Sequence, residues 1–475
     1  MSQTERNLPP VRAVQSIYFI GIGGIGMSAL ARYFKGRGAK VAGYDRTESD
    51  LTRQLQAEGI DVHYTDDVNL ILKDAEIVVF TPAVPKDHAE LNFYQDNGYP
   101  VLKRSEVLGA ITEEAFNICV AGTHGKTTTS TMVGHILRQS GHGCNAFLGG
   151  ISTNYNTNFW HSFNDVCVVE ADEYDRSFWK LSPDIAIITS MDPDHLDIYG
   201  DAKTMEDAFV TFGNKLKPGG LLISRFGLSR AREINAGRRW TYSLQNDAAD
   251  VYAGNIRIGN GGYTFDVHLP DTTIYNVRLN VGGMHNVENV VAAIAAAHAL
   301  EVSDERIAQA VALFRGVRRR FEYVLPPQEP VKGAWLQPVL IDDYAHHPEE
   351  LNALLKSARS LFPGRRITVI FQPHLFSRTK DLFHGFATSL SLADRILLLP
   401  IYPARELPVE GVSSELILRG ISREEKQLLT KEELMAWAEK HSTQLDKEFG
   451  EVIITAGAGD IDLLVPRLKE IFENA

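Results

Sequence analysis

The sequence is short of cysteine. Its 475 residues contain three, Cys119, Cys144 and Cys167, with no CxxC spacing and one left over from any pair. That excludes a disulfide scaffold and a zinc ribbon and points to a reducing compartment. No apolar run approaches the roughly 18 residues of a membrane span. The first sixteen residues are polar, carry Pro9 and Pro10, and lack the apolar centre of a signal peptide. Positive charge is also in deficit: 48 Lys and Arg stand against 60 Asp and Glu, a net charge of −12. Such a chain is a poor non-specific binder of nucleic acid. There is no internal repeat and no low-complexity block. What remains is ordinary globular composition, 44% hydrophobic and 23% charged. At about 150 residues per domain the length predicts roughly three domains. The expectation is a soluble, cytoplasmic, multidomain protein without a nucleic-acid or membrane partner.

The dominant rhythm is a β-branched run, a glycine turn and a helical pattern, which implies parallel sheets built from βαβ units. It starts at Ser16–Ile20, enters a helix near Met27–Lys35, and continues in strands at Lys40–Tyr44 and Ile77–Phe80. A second start is Asn117–Ala121 with a helix over Lys126–Gln139, then strands at Val166–Glu170 and Ile185–Thr189. Between 240 and 280, Tyr252, Ile256, Ile258, Tyr263, Phe265 and Val267 alternate with polar residues around Gly259, Gly261 and Gly262. This predicts a small antiparallel sheet appended to the parallel core. An apolar helix follows over Glu288–Leu300. A third start is Pro338–Asp342, with a helix at Pro348–Leu361 and strands at Ile367–Phe371, Arg395–Leu399 and Glu451–Thr455. Boundaries fall near 110–116 and 321–335, the second marked by Pro326, Pro327, Pro330 and Gly333.

Two glycine loops carry the chemistry. The first, Gly21, Gly23, Gly24 and Gly26, is a GxGxxG between strand and helix, and lets backbone N–H groups approach a diphosphate. Asp45 ends the next strand, where a Rossmann fold places its ribose-binding acid. Alone this fits a nicotinamide enzyme, but the same device takes any diphosphate, a UDP-sugar included. The second loop is Gly122, Thr123, His124, Gly125, Lys126, Thr127 and Thr128. It resembles a P-loop, although Val120 stands where the first glycine belongs. Lys126 can neutralise β- and γ-phosphates and the Thr127 hydroxyl can bind Mg²⁺. A dehydrogenase needs no P-loop and a simple ATPase needs no preceding GxGxxG. Together they imply ATP and a second phosphorylated substrate.

Further polar residues cluster at strand ends. Glu170 is placed to hold a metal beside the P-loop, or to cap a helix. His195, among Asp192, Asp194 and Asp197, is an unusual metal candidate. Asn286 and Asn289 share a helical face and suit an adenine edge. Arg318–Arg320 is either a solvated face or a charge stabiliser for a transferring phosphate. Asp343, Tyr344 and His346 follow one strand of the third unit, and His374 and Arg378 another. The polar loops lie where open α/β sheets bind ligands. His63, His88 and His161 are expected to be surface or satisfied structural residues, and Trp160 and Trp179 packing residues.

These residues together resemble the Mur ligase family. The carrying motifs are Phe19–Ser28, Gly122–Thr128, the Asp192–Asp197 turn, the Asn286/Asn289 helix, Arg319–Phe321, Asp342–Pro348 and Phe371–His374, spread over the whole chain. Within the family the likeness is to the branch that adds L-alanine. It implies an α/β fold in three domains: a Rossmann-like UDP-binding domain (1–112), a P-loop-type central ATPase domain (113–325) and a Rossmann-like C-terminal amino-acid-binding domain (326–475). It implies ATP, UDP-N-acetylmuramate and L-alanine as substrates in the bacterial cytoplasm, two Mg²⁺ ions replaceable by Mn²⁺, and a monomer or weak homodimer. Lys126 and Thr127 would hold phosphate and Mg²⁺, Glu170 and His195 metal, and Asn286 and Asn289 the nucleotide. Arg320 and Asp343 would complete the ATP site. Tyr344, His346 and Arg378 would meet the alanine, with His346 or Asp343 as the base for its amine. Leu375 departs from the arginine often found in this branch, so a basic contact to the substrate carboxylate is either missing or falls to Arg378. Phe212 stands near the place of a carbamylated lysine in sister ligases, so no carbamate is expected. Rival readings are a sister ligase attaching a preformed peptide, a nicotinamide oxidoreductase, and an ATP-driven switch protein.

Overall fold

The computed structural model describes residues 10–192, 196–328, 336–446 and 448–475. His195 therefore lies outside the described residues, as do Asp194 and the linker residues Pro330 and Gly333. The chain divides into two compact units: residues 1–253 with 267–274 and 288–310, and residues 254–266, 275–287 and 311–475.

Three sheets organise these units. The first runs β1 (Ser16–Ile20), β2 (Lys40–Tyr44), β3 (Asp61–His63), β4 (Ile77–Phe80) and β5 (Val101–Lys103) in the spatial order β3-β2-β1-β4-β5. All its pairings are parallel. The order reverses between β1 and β4, so the glycine loop leaving β1 opens at the topological switch point, where such sheets take ligands.

The central sheet uses β6 (Phe116–Ala121), β7 (Asn145–Ser152), β8 (Thr157–Trp160), β9 (Val166–Glu170), β10 (Ile185–Ile188), β11 (Leu221–Arg225) and β12 (Arg238–Ser243). Strand β6 lies between β9 and β10, parallel to both. Its fully apolar Ile118–Ala121 run is what a doubly covered parallel strand requires. Strands β13 (Val251–Gly259), β14 (Gly262–His268) and β15 (Thr273–Leu279) are the stretch with alternating pattern, and follow as successive neighbours after β12. They extend the sheet itself, and β13 pairs parallel with β12.

The third sheet has the order β16 (Glu322–Leu325), β17 (Val339–Asp343), β21 (Glu451–Ala456), β18 (Arg366–Phe371), β19 (Arg395–Leu398) and β20 (Lys426–Leu428). Only its edge strand β16 runs antiparallel. The stretch 322–325 is thus part of this sheet.

The first two sheets share one apolar core. It joins Ile17, Phe19 and Val79 to Cys119, Val169 and Ile188 through the helix Ile25–Gly36. That helix presents Tyr33, 3% exposed, with its ring centroid 5.3 Å from Phe147 on β7 and 6.2 Å from Phe159 on β8. Beside it Arg32, almost fully buried, donates to Asn158 and pairs with Glu58 at 2.8 Å. The Asn158 amide donates on to Ser28 at 3.0 Å. Phe212 is fully buried and stacks on Phe178 at 5.1 Å, so an apolar ring fills that position. His63 and His88 face carboxylates, at 2.9 Å from Glu90 and 3.2 Å from Asp66. All three cysteines are buried free thiols. No described helix is long and apolar enough to cross a membrane.

Tyr33→Ala removes the ring that joins the helix to both strands. It is expected to lower the stability of this unit by about 3 kcal/mol, read from the shift of its denaturant midpoint.

Candidate active site

The first loop is shaped by its own backbone. Gly21 has φ +87°, and the N–H groups of Gly21 and Ile22 both donate to Tyr44 O, at 2.8 and 2.9 Å. Gly24 then caps the helix Ile25–Gly36, leaving first-turn N–H groups free for an anion. The Asp45 carboxylate accepts from Gly23 N at 2.7 Å and from Thr47 N at 3.2 Å. The sequence places this acid on a ribose; the structure engages both its oxygens in holding the loop.

The second loop bridges β6 and the helix Lys126–Gln139. Gly122 (φ +137°) and Gly125 (φ +82°) take backbone angles that L side chains rarely adopt. A Cβ on Gly122 would lie 2.0 Å from Thr189 Oγ1 and 2.8 Å from Ser190 N. The Thr189 hydroxyl donates to His124 O, while Ser190 Oγ accepts from His124 N at 2.9 Å and meets Thr123 Oγ1 at 2.7 Å. The residues just after β10 thus clamp the loop from behind. Lys126 Nζ donates to Gly122 O at 2.7 Å and pairs with the buried Glu173 at 2.8 Å. Thr127 and Thr128 are buried in the first helical turn. Asn289 lies against the same loop: a Cβ on Gly125 would stand 2.7 Å from its Oδ1. Asn286, three residues earlier on the helix Met284–Ala299, instead donates its amide to Gly282 O at 2.7 Å.

Glu170 at the end of β9 turns toward the P-loop. Its Oε1 accepts from Thr127 Oγ1 at 2.9 Å and its Oε2 from Gly149 N at 2.8 Å. A hydroxyl and a carboxylate in contact are hard oxygen donors of the kind Mg²⁺ takes beside a P-loop, so these two residues fit that ion. Between this acid and the first glycine loop lies a cavity of about 250 Å³, lined among others by Gly24, Gly26, Arg104, Phe147, Gly149 and Glu170.

The other unit assembles a second cluster at the C-terminal edge of its sheet. The Asp343 carboxylate accepts from Phe321 N at 2.6 Å and from Ala345 N at 2.8 Å. Burial pushes its carboxyl up to about 6, against the lowering effect of those N–H donors and of the Arg320 charge. Asp342 beside it is also raised to about 6 by burial; Thr455 Oγ1 donates to it at 2.6 Å and Arg319 Nε lies 3.5 Å away. Arg319 also donates to Gly457 O and lies over the Tyr344 ring at 5.0 Å. His346 Nδ1 lies 2.9 Å from Tyr344 O. A carbonyl only accepts, so that nitrogen carries a proton, and in the neutral ring the lone pair is left on Nε2. The His346 ring is 6.2 Å from His374, whose Nδ1 accepts from Arg378 at 3.4 Å. His346 and Arg378 therefore meet at His374, and the Tyr344 ring lies 5.1 Å from that of His346. Leu375, next to it, has φ +71° and ψ 137°, a strained conformation that opens the helix Phe376–Leu390.

Sequence reasoning gave no role to Gly149, Glu173, Thr189 or Ser190. Glu173 had one available signal, its place in the acidic run that follows β9.

Gly122→Ala is expected to abolish nucleotide binding while the far-ultraviolet circular dichroism of the fold persists. Calorimetric titration with an ATP analogue checks it, and unchanged affinity would remove the close approach of Gly122 to Thr189 as a requirement.

Family models match almost the whole chain: "Mur ligase family, catalytic domain" over residues 16–115, "Mur ligase middle domain" over 120–297 and "Mur ligase, glutamate ligase domain" over 319–459. The chain is 49% identical over 470 residues to the UDP-N-acetylmuramate–L-alanine ligase of Cytophaga hutchinsonii, covering 97% of each. It is 48% identical to the same-named ligase of Porphyromonas gingivalis, covering 97% of this chain and all of that one. The crystal structure of a UDP-N-acetylmuramate–alanine ligase from Thermotoga maritima superposes with a TM-score of 0.78 at 27% identity, over 97% of this chain and 99% of that one. The chain belongs to the Mur ligase family.

Proposed function

We propose that the protein joins L-alanine to the lactyl carboxylate of UDP-N-acetylmuramate at the expense of ATP, through an acyl phosphate, releasing ADP and phosphate. The observation that carries this reading is the cavity of about 250 Å³ between a diphosphate-type loop and Glu170, the acid that accepts from Thr127. One end suits the UDP moiety and the other the reacting end of ATP. The identity to alanine-adding relatives over nearly the full chain favours this substrate over those of sister ligases. The three family segments support a division into a UDP-binding domain (1–112), an ATPase domain (113–325) and an amino-acid-binding domain (326–475). The reaction belongs to peptidoglycan synthesis, and we place the enzyme in the bacterial cytoplasm as a monomer or weak homodimer.

A carboxylate is a poor electrophile and an alanine ammonium a poor nucleophile at neutral pH. The first difficulty is met by phosphorylation: the lactyl oxygen forms a bond to the γ-phosphorus as the bond to ADP breaks. Lys126, already at the loop carbonyl of Gly122, would neutralise the β- and γ-phosphate oxygens. Arg320 is assigned to the charge on the transferring phosphoryl group. Thr127 and Glu170 would hold Mg²⁺, which supplies further neutralisation of phosphate charge. Glycine-loop N–H groups fix the UDP diphosphate and so the reach of its sugar. In the second step the alanine amine attacks the acyl carbon and phosphate leaves. Arg378 would bind the alanine carboxylate, with Tyr344 beside it, and His346 Nε2 would accept the amine proton. Asp343 holds the backbone of Phe321 and Ala345, and so places Arg320 and His346 from the two sides of one carboxylate.

Phosphate release is expected to require UDP-N-acetylmuramate and L-alanine together, with a matching mass gain on the sugar. Release with a tripeptide in place of alanine would assign the protein to a sister branch. Lys126→Ala should abolish ATP turnover and leave UDP-sugar binding intact; equal loss of both would contradict two separate phosphate loops.

A raised carboxyl gives a pH signature. Asp343 has a folded pKa of about 6 against an ordinary 3.8, so it favours folding at low pH and loses that contribution as pH rises through about 6. Its charged form, the one that attracts Arg320, grows in over the same window. The kcat/KM profile should therefore fall below about pH 6, and Asp343→Asn should lower activity and shift that limb. An unshifted limb in the variant would assign it to another group.

A further inference from the structure

Arg104 opens the helix Arg104–Glu114, directly after β5, on the same edge of the first sheet as the glycine loop. Its guanidinium lies over Gly26: a Cβ there would be 2.8 Å from Nη1 and 3.3 Å from Cζ. It lines the cavity between the loop and Glu170, and a smaller adjoining one with Glu170 and Asp172. Among the described residues it makes no hydrogen bond or ion pair. The nearby Arg32, by contrast, is tied to Glu58 and Asn158. A half-buried guanidinium needs an anion or water at its five donors, and its planar fork matches phosphate oxygens two at a time.

We propose that Arg104 is a diphosphate-binding residue of the UDP-sugar site, closing over the anion that the Gly21–Gly26 loop seats at the helix N-terminus. This rests on reading that loop as the UDP-sugar site. The third glycine of the motif ordinarily serves close helix–strand packing. Here Gly26 has a second reason to lack a side chain, because any Cβ would displace the guanidinium. The position also answers a charge problem. Glu170 and Asp172 face the same cavity as the incoming dianion, and the loop itself offers only N–H dipoles. Arg104 is the one cationic side chain lining that cavity among the described residues. It therefore supplies the full positive charge on the diphosphate's side, independently of any ion at Thr127 and Glu170.

The test is calorimetric titration of the full chain and its Arg104→Ala and Arg104→Lys variants with UDP, UDP-N-acetylmuramate and a non-hydrolysable ATP analogue, with uridine binding followed by ligand-observed NMR. Arg104→Ala should weaken UDP and UDP-N-acetylmuramate by about tenfold or more, the loss of one charge-assisted contact. Arg104→Lys should recover part of it, and affinities for uridine and the ATP analogue should not move. Unchanged UDP affinity in Arg104→Ala would overturn the proposal. So would equal weakening of uridine, which would mark a merely structural residue. Loss confined to UDP-N-acetylmuramate would move Arg104 to the lactyl carboxylate and overturn the diphosphate assignment. If the unaltered protein binds no UDP, the reading of the first loop fails and the assignment of Arg104 falls with it.

Discussion

The packing of the helix Ile25–Gly36 against β7 and β8 is the contact on which the chemistry of the first unit depends. One end of that helix is the first glycine loop; its flank is Tyr33 against Phe147 and Phe159. Strand β7 in turn lies beside β9, which ends in Glu170. The separation between the two glycine loops is therefore set by interdigitated side chains and not by a linker. Close-packed interiors deform little, so the reach from one loop to the other is fixed to within small adjustments. Arg32 and Asn158 reinforce the same contact with hydrogen bonds in a place where an unpaired polar group would be costly.

On that frame the polar groups are arranged in compensating pairs. Lys126 meets Glu173, Thr127 meets Glu170, and the Asp45 carboxylate satisfies Gly23 and Thr47. The other unit does the same around adjacent buried acids, Asp342 on Thr455 and Asp343 on the N–H groups of Phe321 and Ala345. Each pair holds a polar side chain in a defined orientation. Such preorganisation is what makes electrostatic stabilisation effective in a low-dielectric cleft.

The local devices were legible in the sequence because they are local. Gly21, Gly122 and Gly125 are needed for their own backbone angles, and the strand–loop–helix rhythm around them is written in consecutive residues. The alternating stretch after Tyr252 was legible as strands, but its attachment to β12 was not, since periodicity says nothing about which edge a strand joins. The same limit applies to Glu173 and Gly149, whose partners lie tens of residues away, and to Arg104, whose guanidinium lies over a glycine distant in sequence. Asp45 shows a subtler limit. Its position after β2 was read correctly, yet the choice between a ribose and the N–H of Gly23 depends on a loop geometry that spacing does not specify. His88, read as a surface or satisfied residue, is buried beside Asp66.

The burial of all three cysteines has a practical corollary. Cys119 and Cys167 sit in the shared core of the first unit and Cys144 is buried elsewhere in that unit, and burial pushes each thiol well above its ordinary pKa. Thiolate, the reactive form, is thus both scarce and out of reach in the folded chain. Alkylating reagents should find nothing to modify until the interior opens. The rate at which they label the protein then becomes a clock for the breathing of the core that holds the two loops apart.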